Sequence, residues 1–120
     1  MNNATMSRIA IIAYALVIII FGVTHFINTL EMRNYVPAFV PGGGAWVYIT
    51  GACLIASGLA MIVNKKVRLA GILLTVLLLS FALTIHLPRV INGFESGVGL
   101  IMKDIGLAAG ALLIASRSES

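Results

Sequence analysis

Two histidines, a lysine and an aspartate are the residues of this sequence best placed to do chemistry. His25 and His86 lie near the ends of long apolar runs, and Lys103 and Asp104 interrupt a further apolar run, residues 98–115. Imidazole exchanges protons close to neutral pH and binds metals. Ionisable groups within an apolar membrane segment are costly, tend to face the protein interior and are commonly functional. These four side chains are therefore the candidate site.

Three interpretations of this site are compatible with the residue types. In the first, each histidine caps its helix and hydrogen-bonds a carbonyl group or Asp104. In the second, the site holds a quinone or another redox cofactor. The cofactor-binding residues are then His25, His86, Trp46 and Lys103, and the catalytic residues are His25, His86 and Asp104. In the third, the two imidazoles ligate a haem, which is less favoured because both lie near one surface. A zinc site needs three or four ligands, so no metal site is predicted.

Other reactive side chains give no comparable pattern. Cys53 is the single cysteine, so the chain has no C-x-x-C pair for thiol–disulfide exchange. Ser57 and Ser80 lie in apolar runs away from the histidines, and no G-x-S-x-G motif accompanies them. The glycines at 42–44 lack the following Gly-Lys-Ser/Thr of a phosphate-binding loop, which predicts a turn there.

The composition predicts that these residues are positioned inside a membrane. The chain is 60% hydrophobic and 10% charged, with a mean hydropathy of +1.07, whereas soluble domains are about 25% charged. The net charge of +4 comes from basic residues that flank apolar runs and form no stripe with interleaved aromatics. We therefore expect a lipid bilayer as the partner of the chain, and no nucleic acid.

Four apolar runs of about 18–19 residues have the length that crosses a bilayer. They are residues 9–27, 46–63, 69–87 and 98–115. The first run is preceded by one basic residue and followed by no A-x-A cleavage site, which favours a retained helix over a signal peptide. The prediction is one all-α domain, residues 1–120, that forms an integral membrane four-helix bundle.

The distribution of lysine and arginine predicts the orientation of this bundle. One side receives Arg8, Lys65, Lys66, Arg68 and Arg117, and the other receives Arg33, Arg89 and Lys103. The first side should be cytoplasmic, so both termini face the cytoplasm and the protein spans the inner (plasma) membrane. The ionisable residues near the other ends of the helices, including Glu31 and Glu95, then form one layer at the outer face.

Two connections are informative. Residues 64–68 should form a tight hairpin that makes the second and third spans antiparallel neighbours. Residues 28–45 are long for a loop in so small a protein, and their apolar residues follow helical spacing until Pro37. This segment is interpreted either as an amphipathic lid over an outward-opening pocket or as a loop that caps the bundle.

Small residues recur at the spacing that lets membrane helices approach closely. They are Ala52, Ala56 and Ala60 in the second span, and Gly106 and Gly110 in the fourth. Two interpretations are open: packing between the helices of the bundle, or a homodimer contact through Gly106 and Gly110.

Several short motifs resemble one known family. They are Phe21-Gly22-x-x-His25-Phe26, Val36-Pro37-x-x-x-Pro41, Trp46 with Gly51 and Gly58, and His86-x-Pro88. This pattern is similar to the DoxX and DoxX-like family and covers about Phe21 to Val90. The resemblance implies a small four-helix membrane protein that serves as a subunit of a quinone-linked oxidoreductase or an oxidative-stress complex. His25 and His86 would then carry protons near the outer surface.

Two other functional hypotheses remain open besides the quinone-linked one. The alternative is a non-catalytic accessory or chaperone-like protein that binds partner helices through its small-residue faces. A small transporter is less favoured, because small drug exporters of this size rely on an acidic residue in the first span, and residues 9–27 contain none.

Overall fold

The protein, seen in a computed structural model, is described over residues 2–32, 34, 41–93 and 96–118, with the backbone alone at 89, 96 and 97. The regular structure in these ranges is entirely helical. The helices are α1 (Asn3–Ile27), α2 (Thr29–Met32), α3 (Gly44–Val63), α4 (Val67–Phe81), a π-helical segment (Ala82–His86), α5 (Leu87–Ile91) and α6 (Ser96–Ser116). The predicted all-α class is confirmed.

Four stretches of helix in the described part of the chain are long and apolar enough to cross a membrane. They are Asn3–Ile27, Gly44–Val63, Val67–His86 and Val98–Ser116. Each coincides with one of the four predicted apolar runs. The largest difference is at α1, which begins well before residue 9 because the Asn2 side chain accepts a hydrogen bond from the Thr5 amide at 2.8 Å and caps the helix.

The chain reverses between α3 and α4 within residues 64–66, shorter than the predicted hairpin of residues 64–68. Asn64 and Lys66 both adopt left-handed backbone conformations there, with φ of 60° and 56°. The Asn64 amide donates to the Ala60 carbonyl and ends α3. Arg8, from the first turns of α1, donates to the Met61 carbonyl at 2.9 Å. We call this end of the bundle the loop end.

The helices pack as two extensive pairs, α1 with α3 and α4 with α6, while α3 and α4 contact each other less. Buried residues from all four long helices meet in one core. They are Ala15, Ile18, Leu54, Met61, Val67, Leu74, Leu78, Ala108 and Ala111. Tyr14 closes the arrangement, because its hydroxyl on α1 donates to the Leu107 carbonyl on α6.

Glycines bring the backbones of α1 and α3 together. A Cβ at Gly58 would lie 2.9 Å from the Ala15 carbonyl oxygen, and a Cβ at Gly51 would lie 2.9 Å from the Gly22 carbonyl oxygen. Such distances exclude any side chain unless the helices move apart, which is how small residues act in membrane helix packing. Gly51 and Gly58, rather than a row of alanines, therefore form the packing face of α3.

The small residues singled out from the sequence divide differently from expectation. Ala52 and Ala56 are exposed on α3 and Ala60 is partly buried, so the interpretation that this row packs between helices of the bundle is wrong for Ala52 and Ala56. The physical reason is that Gly51 and Gly58 allow closer approach and take the interface. On α6, Gly110 packs against the Tyr14 ring, whereas a Cβ at Gly106 would meet nothing within 4 Å.

The α4–α6 pair combines one glycine with polar contacts. A Cβ at Gly71 would lie 2.7 Å from the Ala111 carbonyl oxygen. The Thr75 hydroxyl is buried, lies 2.7 Å from the Gly71 carbonyl oxygen and reaches the Ala108 carbonyl oxygen of α6 at 3.3 Å. This side of the bundle therefore contains polar groups deep in an apolar core.

Candidate functional site

A π-helical segment prepares the candidate site. At Ala82–His86 the helix widens, and the Leu87 amide donates to the Ala82 carbonyl five residues earlier instead of four. Pro88 follows immediately; it has no amide hydrogen to donate, and its ring would clash with the carbonyl group four residues before it in a regular α-helix. The local sequence therefore explains why the widening occurs here. π-helical segments are rare in proteins, and those that occur are often at functional sites.

The widening changes the direction in which His86 points. In a regular α-helix His86 would lie about 40° beyond Ala82 around the helix axis, because each residue turns by about 100°. A π-helical turn rotates each residue by less, so His86 is shifted back around the helix axis relative to its position in an α-helix. Ala82 is buried, and the π segment contacts α6. The π segment therefore aims the imidazole at α6.

On α6, the residue that meets this imidazole is Asp104. His86 Nε2 lies 2.9 Å from Asp104 Oδ2. The Asp104 side chain is 3% exposed and the His86 side chain 13% exposed. Asp104 lies more than two turns inside α6, beyond the first turn where a helix dipole stabilises an anion. Its charge therefore depends on the side chains around it.

Lys103 is the second partner of Asp104. Its Nζ lies 3.7 Å from Asp104 Oδ1, and the lysine side chain is 43% exposed. The same Nζ lies 4.9 Å from the centre of the Phe21 ring of α1, in the range of a cation–π contact. Adjacent helical residues point about 100° apart. Asp104 therefore faces the inside of the bundle, while Lys103 lies toward its surface.

His86, Lys103 and Asp104 thus form one group, which we call the acid cluster. It joins three helical elements: the π segment, α6 and, through Phe21, α1. A buried carboxylate in an apolar bundle is costly unless it is paired. Here one partner is an imidazole, which can gain or lose a proton, and the other is a lysine that reaches the surface. The cluster can therefore hold a proton between imidazole and carboxylate beside an exposed cation.

His25 is connected to the acid cluster only through Phe21 among the described contacts. Its Nδ1 donates to the Phe21 carbonyl at 2.6 Å, and its Cβ lies against Gly51 of α3. The Phe21 ring, in turn, lies below Lys103 Nζ. The sequence grouped His25 with His86 and Asp104 by depth. The structure places it at the same end of the bundle, with its described contacts on the α1–α3 side.

The remaining residues of the predicted polar layer are spread out. Trp46 is 45% exposed, and its indole nitrogen donates to the Pro41 carbonyl, which closes the turn before α3. Glu31 is exposed on α2. Within the segment 28–45 proposed as a lid, residues 33 and 35–40 lie outside the described residues, and so does Glu95.

Sequence reasoning missed two contributors to this region. Tyr14 bridges α1 and α6 through the Leu107 carbonyl, and Phe21 contacts both Lys103 and His25. Phe21 appeared in the motif that carried the family resemblance, but no spacing rule marks an aromatic residue in an apolar run as a contact for a lysine. Pro88 was the available signal for the π segment.

Metal and haem chemistry can be compared with this geometry. Over the ranges described, no group of three or more His, Cys, Asp or Glu side chains converges in a way that could hold a metal ion. Haem ligation through His86 Nε2 would require its contact with Asp104 Oδ2 to break. The arrangement therefore favours proton exchange over metal ligation at His86.

Comparison with known proteins gives the family of the chain. No curated protein and no solved structure matches it. A family defined by a domain of unknown function, DUF8561, matches residues 14–116. The match includes the acid cluster, His25 and all of α3, α4 and α6. With most of its length covered by this match, the chain belongs to the DUF8561 family.

Proposed function

We propose that this protein spans the inner membrane four times, with its loop end and both termini in the cytoplasm. The support is the four long apolar helices and the basic residues gathered at the loop end. They are Arg8, Lys65, Lys66, Arg68 and Arg117. Short loops rich in lysine and arginine stay in the cytoplasm. The acid cluster then lies near the outer surface.

We further propose that the acid cluster exchanges protons in a quinone-linked redox or oxidative-stress complex. The observation that carries this proposal is the contact of 2.9 Å between His86 Nε2 and Asp104 Oδ2, at a carboxylate that is 3% exposed. Proton transfer by a positioned side chain contributes roughly 100- to 10,000-fold to a rate. An imidazole–carboxylate pair that is shielded from water and adjacent to an exposed cation has the composition for this role.

The surrounding residues fit the headgroup of a quinone. A quinone supplies electron-accepting chemistry when it is bound, and its carbonyl oxygens accept hydrogen bonds. Lys103 Nζ offers donors on the exposed side of the cluster and lies over the aromatic ring of Phe21. His86 and Asp104 hold the proton at Nε2 and Oδ2. The link to a quinone-linked complex comes from the resemblance of the sequence motifs to DoxX-like proteins.

The test is the lipid content of the gently purified protein. We expect the wild type to retain quinone above the level of the bulk membrane lipid. Asp104→Asn and Lys103→Ala should each lower that content at least severalfold, because they remove the carboxylate and the exposed donor. Thr84→Val is the matched control: this residue lies in the same π segment, is exposed, and its hydroxyl donates to the Ser80 carbonyl, four residues earlier. Wild-type protein with no retained quinone would contradict the proposal.

The second candidate is an accessory protein that binds a partner helix. The observation that favours it is Gly106, where a Cβ would meet nothing within 4 Å on the exposed side of α6. Such an open glycine allows another helix, or a second copy of the chain, to approach the backbone. Gly106→Leu should then abolish co-purification of the partner, while Ala52→Leu on the exposed face of α3 should leave it intact. Recovery of the wild type alone, with bound quinone, would contradict this candidate.

A further inference from the structure

A groove runs between α3 and α4, on a side of the molecule that the acid cluster does not touch. It consists of two adjoining cavities of about 200 and 400 Å3. Both are lined by Ala56 and Ser57 of α3 and by Leu73 of α4. Together they reach the volume of an ordinary ligand site, about 300–1,000 Å3.

The groove exists because the close-packing glycines of α3 face α1 and not α4. Gly51 and Gly58 pack against α1, so the face of α3 toward α4 carries small side chains such as Ala56 and Ser57. The connection of residues 64–66 holds the two helices together at the loop end, but they pack against each other less than against their main partners. Small side chains opposite Leu73 therefore leave space that the bundle does not fill.

A lysine stands at one end of this apolar groove. Lys66 lines the cavity nearest the loop end, whereas Cys53 and Ser80 line the far part. From Lys66 to Ser80 the groove follows α4 for about 21 Å at 1.5 Å per residue. One leaflet of hydrocarbon is about 15 Å thick. The groove is therefore long enough to hold an acyl chain of one leaflet with its headgroup at the lysine.

We propose that this groove binds an anionic phospholipid of the leaflet at the loop end, with the phosphate on Lys66 and one acyl chain along Ala56 and Leu73. Basic pockets between membrane helices on the cytoplasmic side select anionic headgroups. No acidic residue occurs in the sequence between Glu31 and Glu95, so neither α3 nor α4 supplies a carboxylate to neutralise Lys66. The inference rests on the membrane placement proposed above and is independent of the redox role.

The basic residues at the loop end favour an anionic lipid over a second copy of the chain as the occupant of the groove. A parallel copy in the groove would bring the same basic connection, with Lys65, Lys66 and Arg68, against itself, and like charges repel. An antiparallel copy would place those basic residues on the opposite side of the membrane, against the rule that fixes orientation. An anionic lipid has the complementary charge and an apolar chain of the required kind.

The experiment is a lipid titration of the full chain in neutral detergent, followed by native mass spectrometry. Dioleoyl phosphatidylglycerol and dioleoyl phosphatidylcholine share their acyl chains and differ in headgroup charge. We expect phosphatidylglycerol to bind more tightly, and Lys66→Gln to weaken it about fivefold, the effect of one basic residue at a membrane surface. Lys65→Gln is the matched control, because this neighbouring lysine is exposed and lies outside the groove lining.

A second pair of variants tests the acyl-chain part of the groove. Ala56→Leu fills the shared section of both cavities and should weaken phosphatidylglycerol binding severalfold. Ala52→Leu, one turn earlier on α3 and exposed outside the lining, should not. Both positions face open space, so we expect both variants to fold, and thermal unfolding in detergent checks this.

Three results would overturn the lipid proposal. They are equal binding of the two lipids, wild-type binding by Lys66→Gln, and an oxidative Cys53–Cys53 crosslink that phosphatidylglycerol does not suppress. The crosslink would identify a second copy in the groove, because Cys53 lines its far part. The quinone content of Lys66→Gln is expected to be that of the wild type, so failure here and failure of the redox proposal give different results.

Discussion

The two main helix pairs are held together by different means. In α1–α3 the backbones touch through Gly51 and Gly58, and the polar contact described for this pair, from Arg8 to the Met61 carbonyl, lies at the loop end. In α4–α6 one glycine, Gly71, is accompanied by the hydroxyl of Thr75 and the carboxylate of Asp104, both buried. In the membrane placement proposed above, both pairs cross the same apolar layer, so the environment does not explain the difference.

We interpret the difference as a division between stability, to which α1–α3 contributes, and the proposed function, to which the acid cluster of α4–α6 contributes. Close packing needs only small residues and shape, and α1–α3 obtains it without a buried ionisable side chain. Ionisable groups in such a layer are costly, yet α4–α6 keeps Asp104, and the helix widens to bring His86 to it. Close packing alone does not require a buried carboxylate or a widened helix. We therefore expect substitutions in α1–α3 to act mainly on stability and those at the acid cluster mainly on function.

Within the α1–α3 pair, the largest effect on stability should come from Gly58→Ala. Its new Cβ would lie 2.9 Å from the Ala15 carbonyl oxygen and also meet Ile19. Since backbone cannot move aside as a side chain can, we expect a loss of about 2–3 kcal/mol in the free energy of unfolding. Denaturation in mixed micelles measures it.

Gly106→Ala is the matched control for that substitution, because its Cβ would meet nothing within 4 Å. Alanine favours a helix over glycine by about 0.5–1 kcal/mol, so this variant should be as stable as the wild type or more stable. Equal losses from Gly58→Ala and Gly106→Ala would show that close approach is not what holds α1 to α3.

Asp104→Ala should cost less, about 1–2 kcal/mol. In soluble proteins, breaking a buried ion pair costs about 3–5 kcal/mol because a charge is left unpaired. Here Lys103 is already 43% exposed and can extend to the surface, and His86 can become neutral. The same denaturation assay applies. A loss as large as that of Gly58→Ala would indicate that the acid cluster is primarily structural.

Pro88→Ala should weaken the coupling between His86 and Asp104. With an amide restored at residue 88, the π segment should relax toward an α-helix and rotate the imidazole away from α6. A double-mutant cycle with His86→Ala and Asp104→Asn measures the coupling, which averages about 0.6 kcal/mol and reaches about 1.7 kcal/mol for hydrogen-bonded pairs between membrane helices.

We expect that coupling to fall by at least half in Pro88→Ala and to stay unchanged in Pro41→Ala, a proline outside the helices. An unchanged coupling in Pro88→Ala would mean that proline does not maintain the direction of His86.

Thr75→Val should have the smallest effect, about 0.5 kcal/mol. Its hydroxyl reaches the Ala108 carbonyl of α6 at 3.3 Å, a long hydrogen bond, and is also bonded within its own helix to Gly71. Thr84→Val is the comparison, because Thr84 is exposed and its hydroxyl donates to the Ser80 carbonyl, four residues earlier. Equal unfolding free energies of the two variants would show that the Thr75 hydroxyl does not stabilise the contact between α4 and α6.

Much of the fold followed from the sequence because helices in an apolar chain are determined locally. The length of each apolar run and the connection after Asn64 predicted four long helices and their order. The Asn2 cap was recognisable in type but lay outside the apolar run. The depth of Lys103 and Asp104 in their run was also a sequence property, and so was the separation of their directions by about 100°.

The choice of partners could not be read in the same way. Ala52 and Ala56 have the spacing of a packing face, yet Gly51 and Gly58 hold it, because which side of α3 faces α1 is decided by the helices together. Depth alone put His25 with Asp104, whereas the rotation of α1 directs His25 toward its own helix and α3.

By itself, then, the sequence determined the four long helices, their apolar length and the end of the bundle at which the two histidines and Asp104 lie. Hydropathy and local turn chemistry act within a few residues and need no tertiary contact. Only the tertiary structure decided that His86 meets Asp104, that Phe21 lies under Lys103 and that α3 and α4 leave a groove. Each of these depends on the rotation of one helix against another, which is set by packing over the whole interface.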